Sequence, residues 1–260
     1  MENLRTYGHK PFKVAVIHGG PGAPGEMAPV ARELSSLVGV LEPLQKATTI
    51  EGQVTELREV LDKFAHIPVT LIGFSWGAML GFIFTAQYPL LVKKLILVGS
   101  APYADKYAID IMKIRLGRLS EEEREKAISL MKVLEAPATK DKNTVIAQFG
   151  DLMFKADSYD PLPHDSDVLE YDYETYHSVW EQARELRSSG KLLKLGKKIQ
   201  CPVVAIHGDY DPHPAKGVKE PLSHVLRDFR FILIEKCGHY PWLERNARDG
   251  FYDILKSEIS

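Results

Sequence analysis

The pentapeptide Gly73-Phe74-Ser75-Trp76-Gly77 is where this chain could do covalent chemistry. It follows the apolar run Val69-Thr70-Leu71-Ile72 and leads into a helical pattern, so a buried strand should deliver Ser75 to a sharp turn with a helix directly behind it. Gly73 and Gly77 flank the serine where strand and helix cross, which leaves little room for a Cβ. Such a turn holds a hydroxyl above the sheet and aims backbone N–H groups of the helix start at whatever the serine attacks. A serine is a weak nucleophile until a base takes its proton, and near neutral pH an imidazole oriented by a carboxylate can do so. The chain supplies both further on. His239 follows the apolar segment 229–235, and the acidic pair Asp209 and Asp211 follows the segment 202–207. The order Ser, Asp, His is the one expected when loops converge over the carboxyl ends of a parallel sheet. Asp211 lies further past the strand end, beyond Gly208 and stiffened by Pro212, and is the preferred acid; Asp209 could instead orient that loop.

Three such loops need a scaffold. Residues 12–18 read as a strand, followed by the loop His18-Gly19-Gly20-Pro21-Gly22-Ala23-Pro24-Gly25-Glu26. Its glycines permit close backbone approach to a ligand, while its prolines stiffen it and remove donors. A helix over 27–37, a short strand over 38–42 and a helix with the stripe Val54, Leu57, Leu61 and Phe64 come next, the last opened by Thr48 with Glu51 at capping-box spacing. Pro68 marks the restart into the serine strand, a helix covers 76–87, and residues 95–99 are another fully apolar strand. The rhythm then changes. From Pro102 to about Tyr173 the pattern shows amphipathic helices near 107–117, 120–135 and 142–154, the second opened by Ser120 with Glu123 three residues on. Such an insert is expected to cap the carboxyl ends of the strands, where open sheets bind ligands. The division is therefore a core of 1–102 and 174–260 with a helical cap of 103–173. Within the second core segment, a helix over 173–188, strands over 202–207 and 229–235, and helices over 214–227 and 249–258 complete the alternation.

The 260 residues are 45% hydrophobic and 26% charged, enough for one large domain or one domain with an insert. A formal net charge of -2 offers no basic excess for nucleic acid or an anionic membrane, so a small-molecule or short-peptide ligand is expected. Cys201 and Cys237 form neither a disulfide framework nor a metal-spaced cluster, and the start is polar without an apolar signal core. No apolar run approaches membrane-spanning length. The expectation is a cytoplasmic protein that needs no cofactor and no metal, a monomer by default because no heptad or large apolar stripe calls for a dimer.

Over nearly its whole length the chain resembles the alpha/beta-hydrolase superfamily, and His18-Gly19-Gly20-Pro21-Gly22 together with Gly73-Phe74-Ser75-Trp76-Gly77 resembles its proline iminopeptidase-like branch. The resemblance implies Ser75 as nucleophile, Asp211 as acid and His239 as base, with the N–H groups of Gly20 and Trp76 forming an oxyanion hole. Members usually begin with two antiparallel strands before the strand that leads to the His-Gly loop. Almost no sequence precedes that strand here, so a mostly parallel sheet of about six strands lacking those two is expected. Iminopeptidases are expected to bind a free amino group with cap carboxylates, and this cap offers Asp151, Asp157, Asp160, Asp165, Asp167 and Glu170.

Other residues near these loops have plainer readings. His18 and His207 are expected to pack and hydrogen-bond at their strand ends, Cys237 to fill space, and Tyr240 and Trp242 to pack beside His239. Trp76 should serve through its backbone, with its indole available to line the pocket. The leading function is a serine hydrolase cleaving a small ester or amide through an acyl-enzyme, with a prolyl-type aminopeptidase slightly favoured by the His-Gly-Gly-Pro-Gly loop. A small-molecule carboxylesterase and a non-catalytic hydrolase-fold binding protein are the alternatives, and a carbon-acid enzyme using His239 as general base is a smaller third.

Overall fold

Apolar strands buried on both faces dictate the architecture. The computed structural model describes residues 3–260. In chain order, β1 (Leu4–Tyr7), β2 (Phe12–Ile17), α1 (Ala28–Leu34), β3 (Gly39–Pro43), α2 (Ile50–Phe64), β4 (Ala65–Phe74), α3 (Trp76–Gln87) and β5 (Val92–Val98) form the first half. Helices α4 (Ile111–Arg118), α5 (Glu121–Glu135) and α6 (Lys142–Asp157) are inserted next. Then follow α7 (Tyr173–Ser188), α8 (Lys191–Leu195), β6 (Val203–Gly208), α9 (Lys216–Val225), β7 (Phe229–Ile234) and α10 (Arg248–Ile259). The seven strands make one sheet in the order β1-β3-β2-β4-β5-β6-β7, parallel except for β1.

Alternation along the strands divides the core in two. On β2, Ala15 and Ile17 face a cluster built with Leu57 and Leu61 of α2 and with α3, while Val14 and Val16 face Val30 and Leu34 of α1 and Phe251 and Leu255 of α10. Helix α3 is apolar all round and buried from Trp76 to Ala86, so the helix behind Ser75 is anchored on every side. Helix α2 buries one stripe only, and its N-cap is Thr49, whose hydroxyl accepts the Gly52 N–H at 3.0 Å, one residue later than the Thr48 cap expected. The capping box at Ser120 and Glu123 is formed, with bonds of 3.3 and 3.1 Å.

The sheet corrects the expectation of about six strands lacking the N-terminal pair. N-terminal strands β1 and β2 are both present, β2 being the strand read over 12–18 and β1 preceding it, and β1 pairs antiparallel with β3 from Leu4 opposite Pro43 to Tyr7 opposite Val40. Three half-buried residues and the exposed Thr6 at a sheet edge need only one partner, so β1 shows little apolar alternation of its own. The pairing is reinforced from the side by the Tyr7 hydroxyl, which donates to the buried Glu42 carboxylate at 2.6 Å. Strand β4 also starts earlier than Pro68 suggested. The β2–β4 register shifts between Phe12 opposite Ala65 and Val14 opposite Thr70, and Pro68 falls in that irregular stretch, where it interrupts no regular ladder bond.

Helices α4–α6 gather around a third, smaller apolar cluster that includes Leu119, Ala127, Ile146, Phe149 and Met153. Buried Glu244 fastens this insertion to the loop after β7, accepting the backbone N–H groups of Tyr159 and Asp160, both at 2.7 Å, and of Gly238 at 2.9 Å. Among the described residues no helix is long and apolar enough to cross a membrane.

Candidate active site

Ser75 stands between β4 and α3 with φ 51° and ψ -111°, a conformation that costs a non-glycine residue about 1–3 kcal/mol and persists only where the surroundings enforce it. Two features do so. The Ser75 N–H donates to the Val98 carbonyl of β5 at 2.9 Å, and Gly73 and Gly77 sit where an added Cβ would strike backbone, the first against Gly77 and the second against Ile17 and His18. Ser75 is 8% exposed and lines a cavity of about 1410 Å³ between the strand ends and the inserted helices.

His239 lies on the wall of the same cavity. Its N–H donates to the Asp157 carbonyl at 2.8 Å, and its ring packs 4.8 Å from Phe74. Its Nδ1 meets Oδ2 of Asp211 at 2.7 Å, and a carboxylate can only accept, so Nδ1 carries the hydrogen and Nε2 is left on the other side of the ring. Burial disfavours the imidazolium, but the charge and hydrogen bond of Asp211, with Asp157 behind them, outweigh it and raise the His239 pKa above 6.5. Burial likewise opposes ionisation of Asp211, yet the imidazoles of His239, His213 and His207 hold its carboxyl well below the ordinary value. The second acid of the pair does something else. Asp209 Oδ1 accepts the Cys237 N–H at 3.2 Å, bracing the histidine loop.

The structure thus brings Asp211 into bond with His239 and puts His239 and Ser75 on one cavity wall. Among the described residues no hydrogen bond joins the Ser75 hydroxyl to His239 in this conformation. Gly20, with φ +100°, also lines the cavity, and among the described residues neither its N–H nor that of Trp76 is taken up by an internal hydrogen bond. The Trp76 indole does not line the pocket. It is buried in the core, donating to Gln53 Oε1 at 2.7 Å with Trp180 5.8 Å away edge-on, because every face of α3 is covered. His18 and His207 are buried, the first bonded to the Gly19 carbonyl at 2.8 Å and the second to the His213 carbonyl at 2.7 Å.

Three residues beside these were not singled out from the sequence. His213 shares Asp211 with His239, its Nδ1 2.8 Å from Oδ1, and burial pushes its pKa down to about 4 despite Asp211. A histidine two places past the acid was the available signal. Glu26, at the end of the glycine-proline loop, accepts the Gly19 N–H at 3.0 Å and lines the cavity; burial pushes it up to about 7 against the pull of His239. Arg115 of α4 reaches the cavity and grips Asp157 from Nε at 2.7 Å. Of the cap carboxylates, Asp151, Asp157, Asp165 and Asp167 line the cavity, and Asp157 and Asp167 are spent on Arg115 and Arg32. Asp160 and Glu170 pair instead with Arg245 and Lys46, at 3.4 and 2.7 Å.

Asp211, His213 and His239 are also the one cluster among the described residues whose candidate metal-ligand atoms lie within 4.8 Å of one another. Both nitrogens facing the carboxylate are hydrogen-bonded to it, so a cation there would have to displace two protons and spread the rings to ligand distances of about 2.0–2.2 Å on each side. As it stands the cluster is a carboxylate clamped by two imidazole donors.

The profile described as alpha/beta hydrolase fold matches residues 42–245, and the chain belongs to that family. No curated protein matches it by sequence. Among solved structures, VinJ is similar at 17% identity and TM-score 0.68, over 98% of this chain and 93% of that one. A proline iminopeptidase from Mycobacterium smegmatis is similar at 17% identity and TM-score 0.63, over 98% and 93%. An enol-lactonase from Burkholderia xenovorans LB400 is similar at 19% identity and TM-score 0.61, over 98% and 94%. Likenesses at this identity carry the fold, and the fold hosts a peptidase and a lactonase alike.

Proposed function

We propose that this alpha/beta-hydrolase-fold protein is a serine hydrolase that cleaves a small ester or amide through an acyl-enzyme. The observation that carries the reading is the 2.7 Å bond from His239 to buried Asp211 on the wall of the cavity that Ser75 lines. In this reading His239 Nε2 takes the Ser75 proton as Oγ attacks the substrate carbonyl. The free N–H groups of Gly20 and Trp76 receive the oxyanion, His239 protonates the leaving group, and the same base then activates water. Residues 103–173 act as the cap that closes over the bound substrate.

The narrower reading is a prolyl-type aminopeptidase, as the His18–Gly22 loop suggests. It is favoured by Glu26, a cavity carboxyl beside that loop with no ion-pair partner among the described residues, a fitting site for a substrate amine. The test compares prolyl and alanyl arylamides with short-acyl aryl esters, using wild type and Ser75→Ala. Replacement is expected to lower kcat by at least about 10³-fold with the unfolding midpoint unchanged. Retained turnover in that variant sinks the mechanism. Arylamide turnover well above ester turnover supports the aminopeptidase, and ester turnover alone supports a carboxylesterase.

A further inference from the structure

Asp211 carries two imidazoles, and the mechanism above uses one. Its Oδ2 accepts from His239, while Oδ1 accepts both Nδ1–H of His213 at 2.8 Å and the His213 backbone N–H at 2.9 Å. His213 is fixed from behind as well, since His207 Nε2 donates to the His213 carbonyl at 2.7 Å. A ring that donates through Nδ1 and stays neutral, as burial keeps His213, has a lone pair at Nε2. Both rings line the cavity and Asp211 does not, so each imidazole stands between the carboxylate and the open space. Their centroids are 4.7 Å apart. The two rings stand side by side on one wall, each with Nδ1 turned to Asp211 and Nε2 on the side away from it, so the cavity meets two neighbouring imidazole acceptors.

We infer that His239 and His213 together hold the hydrolytic water of deacylation, His239 as its base and His213 as the acceptor of its second hydrogen. This rests on the Ser75 acyl-enzyme reading. The water oxygen bonds to the acyl carbon as one proton passes to His239 Nε2. That proton moves to Ser75 Oγ as the C–Oγ bond breaks. The second hydrogen stays on the incoming oxygen, bonded to His213, and leaves with the carboxylic acid product. Acylation needs no such water, so His213 bears on one half of the cycle.

The experiment separates the halves with p-nitrophenyl acetate in wild type, His213→Leu and His213→Gln. Leucine is expected to leave the nitrophenolate burst rate within about threefold and to slow the steady state by about tenfold or more, as for one lost hydrogen bond to a reacting group. Acetylated protein should then accumulate in intact-mass spectra, and glutamine, which keeps an acceptor, should restore part of the rate. Added methanol provides a second readout that survives modest damage to the fold. Methanol has one O–H and needs only His239, so His213→Leu should raise the ratio of methyl ester to acetate. An equal slowing of burst and steady state, or an unchanged product ratio, overturns the proposal and leaves His213 as a brace for Asp211. A wild type with no Ser75-dependent burst and no Ser75-dependent turnover overturns the acyl-enzyme reading and this inference with it, an outcome distinct from an intact burst that ignores His213.

Discussion

The cavity has two walls, and they are held in different ways. On the sheet side, Ser75, Asp211 and His239 stand on turns at the ends of β4, β6 and β7, each tied to a neighbouring backbone or carboxylate and each nearly closed to solvent. On the insertion side the lining is charged and two of its acids are met by arginines, Asp157 by Arg115 and Asp167 by Arg32. Sheet register fixes the first wall whatever the ligand, because shifting any one strand would turn its side chains to the other face. The second wall rests on a small apolar cluster and on ion pairs that a ligand of the right charge can enter or replace. In the proposed reading, chemistry belongs to the first wall and selection to the second.

The sharpest way to break the distinction is on the sheet side. Asp211→Asn keeps the shape but cannot hold the His239 tautomer or stabilise its charge, and kcat/KM should fall by about 10³–10⁴-fold for esters and amides alike. The pH profile adds a sign. A general base works when neutral, so wild-type kcat/KM should rise through a pKa above the ordinary 6.5 of histidine. In the variant burial remains and the charge that outweighed it is gone, so the acid limb of the residual activity should move to lower pH. A limb that stays in place would assign it to another group.

A smaller effect is expected on the insertion side. Arg115→Met leaves Asp157 buried without its counter-ion, at a cost of about 3 kcal/mol read from urea unfolding. The Asp157 carbonyl still accepts the His239 N–H, so turnover of a small aryl ester should change by less than about tenfold while the ranking of larger substrates changes more. If ester turnover falls as far as in Asp211→Asn, the walls are not separable and the insertion belongs to the catalytic frame.

The same contrast explains what was legible in the sequence. The serine turn, both later loops and most of the sheet could be read because strand ends bearing Gly, Asp and His leave a local trace, and Asp211 was preferred over Asp209 on loop position alone. Strand β1 could not, since an edge strand of four residues takes its stability from β3 and from the Tyr7–Glu42 bond 35 positions away. Nor could Arg115, on a helix whose stripe faces a small local cluster and whose partner lies 42 positions on. The Trp76 indole was misjudged because the turn announces where the backbone goes but not which face of α3 remains open, and none does. The cap acids were equivalent in the sequence; only the placement of Arg32, Arg115, Arg245 and Lys46 sorts them.

The smallest expected effect tests whether buried acids matter away from either wall. Glu42 is closed to solvent at the β1–β3 edge, with one oxygen bonded to Tyr7 and the other unpartnered, and Arg5 stands 3.9 Å off. Burial raises its pKa to about 7 from 4.5, against the pull of the Tyr7 hydrogen bond and Arg5. The folded protein therefore holds a proton between those two values that the unfolded chain has released, and stability falls as pH rises through that window. Glu42→Gln stays neutral throughout, so its melting temperature should fall by a few degrees less than that of wild type between about pH 5 and about pH 8. Part of the slope should survive, because Glu26 on the sheet-side wall is also pushed up to about 7 and titrates in the same range. Hydrolysis should be unaffected. An unchanged slope in Glu42→Gln would mean that Arg5 closes on the carboxylate in solution and keeps it ionised, leaving the half-buried Glu26 as the acid whose charge the fold resists.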